Sequence, residues 1–208
     1  QVTPDKHLDM VYFGNKLSEK GEYNQVAKTY HLDKNTDEYN SAYITSGTRN
    51  LLEPALSVTH ADGNQSLDLQ YISHSVTKIN DDVNLVSIRL KDSVYDFEVT
   101  LNYQTYFNED VTEQWSVIKH HEKKDVVLNR YASANLYLQA GSYWLKNYHG
   151  DWAQEMRPEE QQLTHGIKTL DSKLGSRADL FQPPVFMLSL NKPAAEDNGE
   201  VLYGNLEW

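Results

Sequence analysis

The sequence predicts an all-β fold: a large antiparallel β-sandwich with few short helices. Three observations predict it. Apolar and polar residues alternate with period two in several segments, most cleanly from Tyr95 to Tyr103. Asx and Gly turn residues recur between those segments, at about ten-residue spacing. No internal repeat or low-complexity linker interrupts the 208 residues, and all-β chains of this length are commonly one domain. Alternation gives each sheet a wet face and a dry face, so two sheets must bury their dry faces on each other.

Taken in order, Val11-Tyr12-Phe13-Gly14 reads as a short strand and a turn. Leu17 to Tyr30 reads as a surface helix or a loop, the helix weakened by Gly21. Asp33 to Asn40 is charged and polar, a loop. From Ala55 the period sets in. Leu56, Val58 and His60 alternate with Ser57 and Thr59, and Asp62-Gly63-Asn64 supplies hairpin chemistry. Leu67, Leu69 and Tyr71 form a second strand beyond that turn. Asn80-Asp81-Asp82 turns the chain into Val86-Ile88-Leu90, and Asp92-Ser93 turns it again into the Tyr95–Tyr103 strand. Gln114 to Lys119, Val126 to Leu128, Ala134 to Leu138 and Met187 to Leu190 follow as short strands.

Composition narrows the function. The chain should bury roughly 70% of its unfolded surface, so a real core needs no staples. With no cysteine, disulfides and thiolate metal sites are excluded. The formal net charge of −11 repels phosphate backbones and argues against a nucleic-acid partner. No run of about 18 apolar residues is present, so no membrane-spanning helix is expected. The chain opens on Gln1 without a signal segment and stops inside an apparent strand at Trp208, so it is expected to be cut from something longer. The missing Met start and the Asn/Asp/Tyr-rich composition lean slightly toward an exported or periplasmic protein.

No motif nominates catalytic chemistry. His120-His121, Asp81-Asp82 and Glu159-Glu160 are adjacent pairs, and adjacent strand residues point to opposite faces. With 30 acids, some carboxylate pair will reach glycosidase spacing by chance, and the sequence singles out none. No zinc signature, phosphate loop or nucleophile elbow appears, so no metal or cofactor is assigned. Asn64-Gln65-Ser66 fits a glycosylation sequon but reads better as a turn. The stretch Gly150-Asp151-Trp152-Ala153-Gln154-Glu155, beside Tyr143, Trp144 and Tyr148, stays open between core packing, domain contact and sugar platform.

That stretch, followed by Leu163-Thr164-His165-Gly166, Gly175-Ser176-Arg177, Pro183-Pro184-Val185-Phe186 and Gly199 to Trp208, resembles the end of the N-terminal domain of family 36 α-galactosidases. Upstream, Leu8 to Gly14, Gly47 to Leu56 and Arg130-Tyr131-Ala132-Ser133-Ala134 resemble further pieces of that domain, in the right order. The resemblance implies a galactose-mutarotase-like β-supersandwich spanning 1–208. It also implies a following (β/α)8 barrel, absent from this chain, that holds both catalytic aspartates. No catalytic residue is therefore assigned here, and the chain alone is expected to hydrolyse nothing. The parent enzyme would cleave terminal α-galactosides of an oligosaccharide with retention. This domain would pack on its own barrel and support a homo-oligomer. By resemblance Asn50 stands where an aspartate helps bind galactose, and Leu52 where an arginine is usual.

A domain made to pack on a barrel should show an apolar face, and Trp152, Phe181, Phe186 and Trp208 are the expected contributors. Two other functions compete. One is a free-standing carbohydrate-binding module using Tyr143, Trp144, Tyr148 and Trp152; the other is a structural or adhesion sandwich.

Overall fold

The computed structural model describes residues 1–14, 16–19, 21–23, 40–48, 50, 52–171 and 181–207. The chain divides into two compact units, Gln1–Leu138 and Gln139–Trp208. The regular secondary structure of the described residues is almost entirely β, in three antiparallel sheets.

In the first unit, β2 (Leu69–Lys78), β3 (Val83–Asp92), β4 (Phe97–Tyr106) and β5 (Val111–His120) form an antiparallel meander in that order. Its turns are made by side chains that the sequence marks. Asn80 Oδ1 accepts the N–H groups of Asp82 and Val83, both at 2.8 Å, and closes the β2–β3 turn. Buried Asp92 accepts three backbone N–H groups, from Val94 and Tyr95 at 2.7 and 2.8 Å and from Asp68 at 2.7 Å. One carboxylate thus shapes the β3–β4 turn and ties it to the start of β2.

A second sheet pairs β1 (Leu56–Thr59) with β6 (Val127–Tyr131). The core collects Leu56 and Val58 from β1 with Leu90, Phe97, Val99 and Leu101 from β3 and β4, all buried. These are the apolar members of the period-two segments, so the predicted dry faces do meet. Burying each such side chain contributes about 1.5–3 kcal/mol.

His60 continues the inward row Leu56-Val58-His60, and it is polar. Its side chain is 0% exposed and that of Glu122 is 7% exposed. His60 Nε2 lies 3.0 Å from the Ser66 carbonyl, which can only accept, so Nε2 donates. Nδ1 lies 2.7 Å from Glu122 Oε1, and Glu122 Oε2 accepts the Ala61 N–H at 2.9 Å. Tyr95 stacks on the imidazole at 3.7 Å between ring centres. Burial pushes the Glu122 pKa up. The Ala61 N–H and the His60 hydrogen bond, helped by the charge effect of His60 and His120, outweigh it and hold the carboxyl below its ordinary 4.5.

The second unit is a four-stranded sheet, β10-β9-β7-β8, built from β7 (Tyr143–His149), β8 (Arg157–Leu163), β9 (Val185–Leu190) and β10 (Val201–Asn205). The aromatic-rich β7 is an inner strand, and Leu145 and Asn147 are its buried positions. Edge strand β8 is polar and contains Pro158, which edge strands tolerate. Lys146 Nζ pairs with Glu160 at 3.1 Å across β7 and β8.

The structure corrects four expectations. The Asp62-Gly63-Asn64 turn is present, but it does not close a hairpin: β1 pairs with β6 and β2 with β3. The turn is closed on itself, by His60 N–H to Asn64 O at 2.8 Å and by the His60–Ser66 hydrogen bond, so its two arms enter different sheets. Ala134–Leu138 forms no strand. Val11–Gly14 forms none either, and among the described residues the opening segment makes single bridges at Val2–Leu8 and Asp9–Ser41. Strands β7 and β8, absent from the strand pattern read along the sequence, are present. Most of Leu17–Tyr30 and nearly all of Asp33–Asn40 lie outside the described residues.

Replacing Phe97, fully buried beneath β1, by alanine is expected to cost about 3–5 kcal/mol, read by urea denaturation. Glu122 makes stability depend on pH. Its folded pKa lies below 4.5, so its contribution is complete above that value and is lost as pH falls through the lower folded pKa. The urea midpoint should therefore fall more steeply in acid for the native chain than for Glu122→Gln. Parallel curves would remove this role from Glu122.

Candidate functional site

Asn50 sits on a loop whose two ends are stitched together. Ala55 N–H donates to Ile44 O at 2.8 Å and Ser46 N–H to Leu56 O at 3.0 Å. Within it the polar side chains serve the backbone. Thr48 Oγ1 donates to Thr45 O at 3.1 Å and accepts the Asn50 N–H at 3.3 Å. Half-buried Asn50 accepts the Leu52 N–H on Oδ1 at 2.9 Å, an Asx turn. Glu53 pairs with Arg130 of β6, and Leu52 is exposed. Gly47 opens the loop at φ 78°, and a Cβ there would collide with Ser66 Cα. This glycine is required twice, for its dihedral and for the close approach.

A small polar cleft lies beside this loop, lined by His7, Ser41, Tyr43, Thr45, Thr48 and Asp68 among others. His7 spans it, with Nδ1 3.0 Å from Asp5 and Nε2 2.7 Å from Asp68. The Thr3 hydroxyl holds the Asp5 carboxyl below its ordinary pKa. Both ring nitrogens of His7 face carboxylates, which makes the cluster a clamp on the N-terminal segment.

The second candidate is the stretch after β7. Gly150 and Phe181 exchange two backbone hydrogen bonds, of 2.9 and 2.7 Å. Between Gly150 and β8 the chain makes a tight excursion in which Ala153 and Met156 have φ of 57° and 53°, and Phe181 has φ 63°. Each such residue costs of order 1–3 kcal/mol. A Cβ on Gly150 would lie 3.0 Å from Glu155 Cα. The excursion presents Trp152 at 84% exposure, and Phe181 is 48% exposed. Phe186 is different: it is half-buried and its ring lies over Gly204, its cross-strand partner, filling the space a side chain would take. Trp208 lies outside the described residues, as does Gly175-Ser176-Arg177.

The four aromatic residues considered as a sugar platform do not form one. Tyr143 lies on one face of β7 and Trp144 and Tyr148 on the other, while Trp152 is in the loop beyond. The Tyr143 hydroxyl accepts the Ala140 N–H at 2.8 Å. The adjacent acid pairs are separately engaged: Asp81 with Lys78 at 2.6 Å, Asp82 with the Asn108 N–H at 2.7 Å, and Glu160 with Lys146. His120 stacks near Phe97, and His121 reaches Asp96 at 3.8 Å. Among the described residues no group of three or more His, Cys, Asp or Glu is placed to hold a metal. Asn64 Oδ1 accepts the Ser66 N–H at 2.9 Å, which makes the sequon an Asx turn.

Sequence reasoning did not single out Ser66, which closes on Gly47, or the His60–Glu122 pair that meets the Ser66 carbonyl. The available signal was a histidine on the dry side of an alternating strand.

Comparisons with known proteins agree with the fold. The glycosyl hydrolase family 36 N-terminal domain matches residues 6–208. Alpha-galactosidase 2 of Pediococcus pentosaceus is 26% identical over 199 residues, covering 94% of this chain and 27% of the relative. Alpha-galactosidase Mel36A of Lactobacillus acidophilus is 26% identical, covering 95% of this chain and 30% of the relative. The crystal structure of the family 36 α-galactosidase AgaA from Geobacillus stearothermophilus superposes with a TM-score of 0.81 at 22% identity, covering 97% of this chain and 31% of that one. That last likeness carries the fold alone. The chain spans under a third of the length of these relatives. It belongs to the family of glycosyl hydrolase family 36 N-terminal domains.

Proposed function

We propose that this chain is the non-catalytic N-terminal module of an α-galactosidase-like retaining glycoside hydrolase. The observation that carries the reading is the family match, which runs through both units from 6 to 208. The relatives named α-galactosidases are more than three times as long, which leaves room for a catalytic barrel. In that barrel two carboxylates would hydrolyse an α-galactoside through a glycosyl-enzyme intermediate. This module would pack on the barrel, shape the rim of its pocket and support a homo-oligomer.

Its own contribution to chemistry would be binding and orientation. Asn50 offers a neutral amide, which donates and accepts hydrogen bonds without charge, to the hydroxyls of a terminal sugar. Trp152 and Phe181 offer apolar surface for the barrel, supported by their exposure. The same exposure of Trp152 favours the second reading, a free-standing carbohydrate-binding module.

Two measurements separate these. With an aryl α-galactoside, the 208-residue chain should show no turnover while the full-length enzyme does; turnover by the chain alone sinks the first reading. Titrating raffinose into the isolated chain should give no heat of binding at millimolar sugar. Saturable binding lost in Trp152→Ala would favour the second reading.

A further inference from the structure

We infer that His60, Glu122 and Ser66 are positioning residues that hold the Asn50 loop in place, so that a buried pair remote from the sugar sets substrate affinity. The inference rests on the reading that Asn50 reaches the sugar, and adds how it is held there.

The connection runs through contacts already described. Glu122 fixes the His60 ring at 2.7 Å, and the ring fixes the Ser66 carbonyl at 3.0 Å. Segment 65–67 then lies against segment 45–47 along three hydrogen bonds. The Ser46 hydroxyl donates to Gln65 O at 3.2 Å, Leu67 N–H to Ser46 O at 3.1 Å, and the Thr45 hydroxyl to Leu67 O at 2.6 Å. Gly47 closes on Ser66 Cα with no space for a Cβ, so the Ser66 peptide sets where the loop begins. Three residues later comes Asn50, its backbone N–H donating to Thr48 Oγ1 and its side-chain Oδ1 accepting the Leu52 N–H. The links among the described residues are hydrogen bonds and one close backbone contact. His60, Thr45 and Leu67 are buried, whereas Gln65, Ser66 and Gly47 are exposed and Ser46, Thr48 and Asn50 half-buried. A shift of the Ser66 peptide must therefore appear at Gly47, and from there at Asn50.

A pair that merely stabilised the fold would behave differently. Its loss would lower the fraction of active enzyme, and with it apparent kcat, and leave KM alone. A positioning pair changes KM at constant kcat, as loss of the contact itself would.

The test uses the full-length enzyme carrying this domain, assayed with raffinose as substrate. Asn50→Ala is the reference and should raise KM by about tenfold with kcat nearly unchanged. Glu122→Gln, which keeps the shape and removes the charge, should raise KM several-fold in the same pattern. Gly47→Ala attacks the contact from the loop side without touching the buried pair. It should do the same, and it carries the test if Glu122→Gln does not fold. If Asn50→Ala raises KM while Glu122→Gln and Gly47→Ala leave it at the native value, the inference is overturned and the Asn50 reading stands. If Asn50→Ala itself leaves KM unchanged, the reading fails and the inference falls with it.

Discussion

A histidine in the apolar row of a strand must find acceptors or unfold its surroundings, and the first unit is arranged around that constraint at His60. Leaving a buried polar group unpaired costs of order 1–3 kcal/mol. Here both ring nitrogens are met, one by a backbone carbonyl and one by a buried carboxylate. The partners come from separate places. His60 directly follows β1, Glu122 follows the end of β5, and Tyr95 approaches β4. The two-stranded sheet and the meander are thus joined at one end by a polar clasp and along their faces by Leu56, Val58, Phe97 and Val99. The apolar contacts supply the larger energy. The clasp supplies register, because a hydrogen-bonded pair has one geometry where an apolar pair has many.

That division explains what could be read from the chain. Strands with one wet face were legible: β4 alternates without exception from Phe97 to Leu101, and its burial alternates with it. The meander turns were legible because Asn80 and Asp92 do locally what their residue types do best. Pairing was less so. Asp62-Gly63-Asn64 looks like a hairpin turn, but the 62-residue separation of His60 and Glu122 decides where the arms go. No local pattern reports a contact of that range. Glu122 itself was hidden in a charged run, Lys119 to Lys124, where a solvated turn is the ordinary expectation.

The second unit was hard to read for the opposite reason. Its edge strand β8 is Arg-Pro-Glu-Glu-Gln-Gln-Leu, polar on both faces, which is how an edge resists pairing with other chains. Its inner strand β7 mixes aromatic and polar residues so that neither face is simply dry. Gly204, an oddity in a strand, makes sense only beside Phe186, and the two meet by register rather than by sequence. What was legible here came as an ordered set of short motifs carrying a family resemblance, and the residues between them gave little.

A module without catalytic groups can still govern a reaction through what it holds still. A loop that orders only when sugar arrives must lose conformational freedom at that moment, and the loss subtracts from affinity. The described residues of the Asn50 loop are held by a stitched base, an internal Asx turn, a brace from Glu53 to Arg130, and Gly47 closed on Ser66. An amide has fewer ways than a carboxylate to compensate for misplacement, since it lacks long-range charge and works only at hydrogen-bond distance. On the proposed reading of Asn50, a neutral contact in place of a charged one shifts the burden from electrostatics to geometry. On the proposal made above, that geometry traces back to one buried ring, His60.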